Sequence, residues 1–141
     1  MGKGIALSRE GLLAGKPLKK VKVVLDEKGD EFVFVREMKG NERDSFETTI
    51  MNLEGFEDDG TPRYSKTMNS FRSKLAVHTV CDEEGKLLFK ADDWATLGDN
   101  ISAVWLDKIV KEAQKLNKMD KGDVVKNSDT VQPGDSSSDS V

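Results

Sequence analysis

Val21-Lys22-Val23-Val24-Leu25 and Glu31-Phe32-Val33-Phe34-Val35 flank the polar stretch Asp26-Glu27-Lys28-Gly29-Asp30. Two β-branched and aromatic runs on either side of a glycine-containing turn predict an antiparallel hairpin. Upstream, Ser8 is placed to cap a short helix through Leu13, which Gly15 and Pro17 end. Downstream, Asn41 stands as an N-cap with Asp44 three residues on, close to a capping-box spacing. Phe46, Ile50 and Leu53 follow as one apolar stripe, and Gly55 closes that expected helix.

Glu57-Asp58-Asp59-Gly60-Thr61-Pro62 is dense in turn formers and reads as a mobile loop. A second helix is expected from about Ser65 to Val80, its buried side marked by Met68, Phe71, Leu75 and His78 or Thr79. Asp82-Glu83-Glu84-Gly85 turns the chain, and Leu87-Leu88-Phe89 is a short apolar segment. Asp92 is placed to cap a brief helix holding Trp94 and Leu97, ended by Gly98. The last helix starts at Asp99 or Asn100, with Ile101, Val104, Trp105, Ile109, Ala113 and Leu116 on one face. Lys111, Lys115 and Lys118 lie towards its C-terminal end, where positive charge suits the helix dipole. Strands first and helices after predict an α+β class, helix-dominated, with an N-terminal antiparallel hairpin.

Composition shifts after Met119. Residues 120–141 hold five Asp, two Lys, no aromatic and only scattered valines, so they carry -3 of the chain's net -4. Such a stretch buries too little apolar surface to offset its ordering entropy. The expected division is a domain over 1–119 and a disordered, flexible acidic tail over 120–141. The mildly acidic total argues against broad binding to nucleic acid or to an anionic membrane. No apolar run approaches the ~20 residues of a membrane span. Met1 to Glu10 has neither a signal-peptide core nor, with Ala6 in place of Ser or Thr, a myristoylation pattern. The single cysteine, Cys81, has no internal disulfide partner. A soluble cytoplasmic protein is the expectation.

The search for chemistry is short. Neither Asp26–Asp30 nor Glu57–Gly60 has the alternating oxygens and distal Glu of a calcium loop, so both read as solvated turns. Gly11-Leu12-Leu13-Ala14-Gly15-Lys16-Pro17 resembles a phosphate loop only superficially, because its glycines are too close and Pro17 replaces the magnesium-binding hydroxyl. His78 and Cys81, three apart, invite a nucleophile or half a metal site. Further His or Cys ligands are lacking, and a buried thiol beside a half-buried imidazole is the simpler reading. Trp105 belongs to an apolar stripe, and Trp94 is less committed to a core. No catalytic, cofactor-binding or metal residue is assigned, and the partner-binding residues are undetermined.

A resemblance takes the reading further. Phe34-Val35-Arg36-Glu37-Met38-Lys39-Gly40-Asn41-Glu42-Arg43-Asp44-Ser45-Phe46-Glu47 is similar to the "v-R-e-l-x-g-x-E-R-D-x-F-E" passage of tail assembly chaperones from long-tailed phages. Arg72-Ser73-Lys74-Leu75-Ala76-Val77-His78-Thr79-Val80-Cys81-Asp82-Glu83-Glu84-Gly85-Lys86-Leu87-Leu88-Phe89 resembles their "R-x-x-L-v-x-x-t-v-x-D-E-x-G-x-x-L-F" segment. Asp92-Asp93-Trp94-Ala95-Thr96-Leu97-Gly98 is similar to "e-D-v-x-x-L-G". Leu106-Asp107-Lys108-Ile109 through Ala113-Gln114-Lys115-Leu116-Asn117 is similar to "l-x-x-i-x-x-x-A-x-x-L-N". Order and spacing together carry the resemblance, from about Ile5 to Asn117. The insertion Glu57 to Pro62, Tyr64 and the Ser/Asp-rich ending depart from it.

The resemblance implies a binding function without catalysis. Such chaperones coat the tape measure protein and keep it soluble, help recruit tail tube subunits, and are absent from the finished virion. They are late proteins acting in the host cytoplasm, without cofactors, and a homo-oligomer is possible. Many occur as a short product and a longer one made by ribosomal frameshifting, and this chain resembles the short form. If the family's minus-one slip occurs here, the standard code permits it after Trp105 at one place, Val125-Lys126-Asn127, with Val125 encoded GTA and Lys126 AAA. The alternatives are a structural tail or neck component retained in the virion, and an enzyme using Cys81 and His78.

Overall fold

The computed structural model describes residues 4–66 and 70–119. The expected tail, the slip site and Met68 lie outside the described residues. The fold is α+β. The expected hairpin is present as β1 (Lys20–Val24) and β2 (Phe32–Arg36), with Val21 opposite Val35 and Val23 opposite Val33. Side chains alternate across a strand, so these valines share one face while Lys20, Lys22, Val24, Phe32 and Phe34 share the other. Gly29 takes a φ of 83° in the turn, and the Asp26 carboxylate accepts from the Glu31 N–H at 3.0 Å.

A third strand, β5 (Val80–Cys81), pairs antiparallel with β2 and gives the sheet the order β1-β2-β5. The valine face packs on α3 (Phe71–Val77) and α5 (Ala103–Leu116), whose Leu75, Leu106, Ile109, Val110 and Ala113 build the core with Val23, Val35 and Val80. Burying side chains of this size contributes about 1.5–3 kcal/mol each.

The expected helix from Ser65 to Val80 is therefore corrected. Ser65 lies in β4 (Pro62–Lys66), and α3 stops at Val77. The Thr79 hydroxyl donates back to the Leu75 carbonyl at 2.8 Å in the turn that follows. Val80 then takes a ladder position opposite Val35 instead of another helical turn.

α2 (Gly40–Thr49) begins one residue before Asn41, with Lys39 as its N-cap. The Lys39 N–H donates to the Glu42 carboxylate at 2.8 Å, so the Asn41/Asp44 pairing expected there is not the one formed. Phe46 and Ile50 do face the core, but Leu53 does not. Met51–Phe56 is a strand, β3, paired antiparallel with β4. Of Glu57 to Pro62, read as a mobile loop, residues 57–61 form the turn of this second hairpin and Pro62 begins β4. The Glu57 N–H donates to the Thr61 carbonyl at 2.8 Å, and Gly60 takes a φ of 90°.

α4 (Trp94–Asn100) follows a 3-10 turn, Ala91–Asp93, in which Asp93, not Asp92, accepts from the Lys90 N–H. Gly98 lies inside α4 and does not end it. A Cβ there would meet the Ser73 Oγ at 2.6 Å, so the glycine permits α4 to approach α3. α5 starts after Ser102, whose hydroxyl accepts from the Trp105 N–H at 3.1 Å, later than the expected Asp99 or Asn100. Its buried face is turned from the one expected. Leu106 and Val110 join Ile109 and Ala113, while Val104 is 63% exposed. The final turn accommodates Lys118 at a φ of 56° and buries Met119. The N-terminal helix α1 (Arg9–Ala14), capped by Ser8 on the Gly11 N–H at 3.0 Å, buries none of its residues.

Candidate interaction surface

His78 and Cys81 are buried, at 3% and 2% exposure. His78 Nδ1 lies 2.7 Å from the Lys74 carbonyl oxygen, which only accepts, so Nδ1 carries a proton. In the neutral ring, Nε2 is then the acceptor for the Ser45 hydroxyl at 3.3 Å. Both ring nitrogens are thus engaged, and the bond to Ser45 ties α2 to the end of α3. Burial pushes the Cys81 thiol up, which disfavours the thiolate a nucleophile requires. Among the described residues no group of three or more His, Cys, Asp or Glu is placed to hold a metal ion. Gly15, within the stretch compared with a phosphate loop, is the C-cap of α1.

Several charged residues of the Arg36–Glu47 passage pair with one another. Arg36 meets Glu42 through two hydrogen bonds of 2.8 Å, and the Arg43 Nε meets Glu47 at 3.0 Å. Hydrogen bonding from the Arg36 guanidinium holds the Glu42 carboxyl below the usual carboxylate range. Asn117, in the last matched segment, accepts from the Met38 N–H at 2.8 Å and donates to the Ala113 carbonyl at 2.9 Å. These side chains hold the fold and leave little free chemistry.

What the body leaves open is apolar. In the β3–β4 ladder Leu53 faces Tyr64, and a register shift between Leu53 and Gly55 marks a bulge at Glu54. An extra residue in one strand changes which side the following residues take. Phe56, three positions after Leu53, therefore returns to the same side, opposite Pro62. Leu53, Phe56 and Tyr64 are 55%, 61% and 54% exposed, and Met51 is exposed beside them. An isolated two-stranded hairpin in water is marginal unless something packs on it. This face is one part of the described body that lacks cover.

A second opening is a groove of about 560 Å³ whose lining includes Leu25, Val33, Leu88, Phe89, Leu97 and Trp105. Trp105, expected in the core, is only half-buried and forms one wall. Trp94 is half-buried too, with the Lys74 ammonium 4.8 Å from its ring centroid. Lys74 also donates to the Thr49 carbonyl at 2.9 Å, so a buried lysine fastens the end of α2 at the base of the second hairpin. A third apolar element is the N-terminal segment, where Ile5, Leu7, Leu12 and Leu13 are exposed.

Sequence reasoning missed the hairpin face. The stripe Phe46, Ile50, Leu53 has helical spacing, and only Gly55 with the β-turn chemistry of Asp59-Gly60 hinted at an earlier break.

No protein-family model matches this chain. No curated protein matches it either. Among solved structures it is similar to the bacteriophage HK97 tail assembly chaperone, with a TM-score of 0.48 and 16% identity, over 70% of this chain and 85% of that one.

Proposed function

We propose that this chain is a tail assembly chaperone of a long-tailed phage that binds the tape measure protein and keeps it soluble while the tail tube forms. The observation that carries the reading is the uncovered apolar face of β3–β4. The segments that resemble this family supply the fold-holding residues just described, and the β3–β4 face lies between two of them. Weak apolar contacts repeated along a long helix add up through multivalency, and a partner rich in amphipathic helix is the chemistry such faces suit. On this reading the protein binds and does not catalyse, acts late in the host cytoplasm, helps bring tube subunits to the complex, and leaves before the virion is complete.

The experiment is co-expression with the tape measure protein of the same phage. The wild-type chain should raise its soluble yield and copurify with it. Leu53→Ser/Phe56→Ser/Tyr64→Ser should lose both effects while remaining folded. A tape measure protein equally soluble without this chain would end the proposal. Mass spectrometry of purified particles separates this function from that of a retained tail or neck component, because the chain should be missing there.

The companion proposal is a longer product made by a minus-one slip. If Val125 is encoded GTA and Lys126 AAA, the message reads A-AAA-AAC or A-AAA-AAT into Asn127, and both tRNAs re-pair after slipping. The gene sequence tests the first half. Peptides from infected cells that diverge after Asn127 test the second.

A further inference from the structure

The N-terminal segment is built by local contacts and buries nothing on its own body. Ser8 caps α1 on the Gly11 N–H, and Gly15 closes it. Leu7 precedes the cap and Leu12 is the fourth helical residue, the two positions of a hydrophobic staple. Gly11 leaves room for Leu7 against the helix, since a Cβ there would lie 3.9 Å from the Leu7 side chain. Ile5, Leu7, Leu12 and Leu13 are nevertheless all exposed. A helix this short is marginal in water without something packed on it.

The groove beside Trp105 is the concave counterpart. It holds about 560 Å³ between Val33, Phe89, Leu97 and Trp105, with Leu88 exposed at its side. A concave apolar site suits a compact knob of side chains, which is what the staple makes of Leu7, Leu12 and Leu13. The arm of the same chain is badly placed to fill it. Lys19 is held in place, its N–H donating to the Glu37 carboxylate at 2.8 Å and its carbonyl accepting from the Glu37 N–H at 2.9 Å. From Lys19, β1 runs to Leu25, at the groove, ~20 Å further on. Ala14 to Lys19 spans at most ~17 Å when fully extended. Bringing Leu12 and Leu13 to Leu25 of their own body therefore needs a nearly straight linker, with no residues left for the reversal at Lys19. A neighbouring copy sets no such limit.

We propose that the N-terminal arm, Ile5 to Ala14, docks in the Trp105 groove of a second copy of this chain, with Leu7, Leu12 and Leu13 entering it. Because caps and staple preform the arm, docking orders little more of it. The contact joins two different patches, so reciprocal exchange closes a dimer and one-way exchange adds copies head to tail. This inference stands apart from the tape measure proposal, which uses the β3–β4 face.

Two full-length variants test it by sedimentation and amide spectra. Leu7→Ser/Leu12→Ser/Leu13→Ser spoils the arm and keeps the groove, whereas Leu88→Glu puts a carboxylate in the groove and keeps the arm. α1 buries none of its residues and Leu88 is exposed, so both variants should fold as wild type does. Wild type should gain mass with concentration, while each variant alone stays at the mass of one chain. Mixed, the two should form a pair, since one supplies an intact groove and the other an intact arm. The amides of Leu12 and Leu13 in Leu88→Glu, and of Trp105 in the arm variant, should shift on mixing. Leu53→Ser/Phe56→Ser/Tyr64→Ser should still associate as wild type does, even where it loses the tape measure protein. A wild type that stays monomeric would overturn the proposal, as would variants that associate undiminished or fail to pair when mixed. Arm and groove shifts that ignore concentration would also overturn it, by seating the arm in its own body.

Discussion

Arg36, at the end of β2, grips both carboxylate oxygens of Glu42, near the start of α2, at 2.8 Å each. The side chains are 5% and 22% exposed, and Arg36 also donates to the Glu37 carbonyl at 2.8 Å. The same carboxylate accepts the Lys39 N–H and so caps α2. One pair therefore fixes the angle at which α2 leaves the sheet. Within the passage that resembles the chaperone family, this Arg and Glu are framework residues.

Removing one partner of a fully buried pair costs about 3–5 kcal/mol, and with Glu42 partly exposed Glu42→Gln, which keeps some hydrogen bonding, should cost about 1–2 kcal/mol. The folded-state pKa of Glu42 is lowered, from an unfolded value of about 4.3. Its contribution is then fully present above that value and is lost as pH falls through the lower folded value. Urea unfolding should show a loss of stability between pH 5 and pH 3 that is smaller in Glu42→Gln. An equal loss in both proteins would remove Glu42 from the account.

Gly98→Ala should destabilise by about 1–3 kcal/mol, because the new methyl group meets the Ser73 Oγ at 2.6 Å. Helix propensity alone favours the substitution by nearly 1 kcal/mol. In a Ser73→Ala background the clash is gone, and Gly98→Ala should become neutral or stabilising. A double-mutant cycle by chemical denaturation reads this change of sign. Equal effects in both backgrounds would contradict the close approach of α3 and α4.

Phe46→Ala should cost about 3–5 kcal/mol. The ring is 1% exposed and lies edge to face with Phe71 at 5.5 Å and with His78 at 5.8 Å. Phe56→Ser, on the open hairpin face, should stay within about 1 kcal/mol of wild type, since exposed substitutions away from special features do little. Similar thermal unfolding of the two variants would mean the hairpin face is covered by the body.

Asn117→Ala should cost about 1–2 kcal/mol, chiefly by leaving the Met38 N–H without its acceptor, since the Ala113 carbonyl keeps the backbone N–H of residue 117. Hydrogen exchange at Met38 should quicken by more than global destabilisation accounts for. Unchanged local protection would mean that water replaces the amide at no cost.

The sequence by itself determined the elements whose signals are local. The β1–β2 hairpin is legible because alternating Val and Phe with a Gly29 turn leaves one pairing register that buries the valines. α1 follows from Ser8 and Gly15, and α5 from a long apolar stripe, because caps and periodicity act within a few residues. The partner surface was not legible. Leu53 continues the helical spacing of Phe46 and Ile50, so only the ladder with Tyr64 and the bulge at Glu54 place it on an open strand face. β5 was hidden because the buried run Leu75 to Cys81 suits either a helix or a strand, and long-range pairing of Val80 with Val35 decides it. Tertiary structure alone also decided the face of α5. Apolar residues at 104, 105, 106, 109 and 110 allow more than one stripe, and packing against the valine sheet buries Leu106 and Val110 while leaving Val104 in water. Local sequence sets propensity, but which of several apolar faces is buried depends on what the rest of the chain brings to meet it.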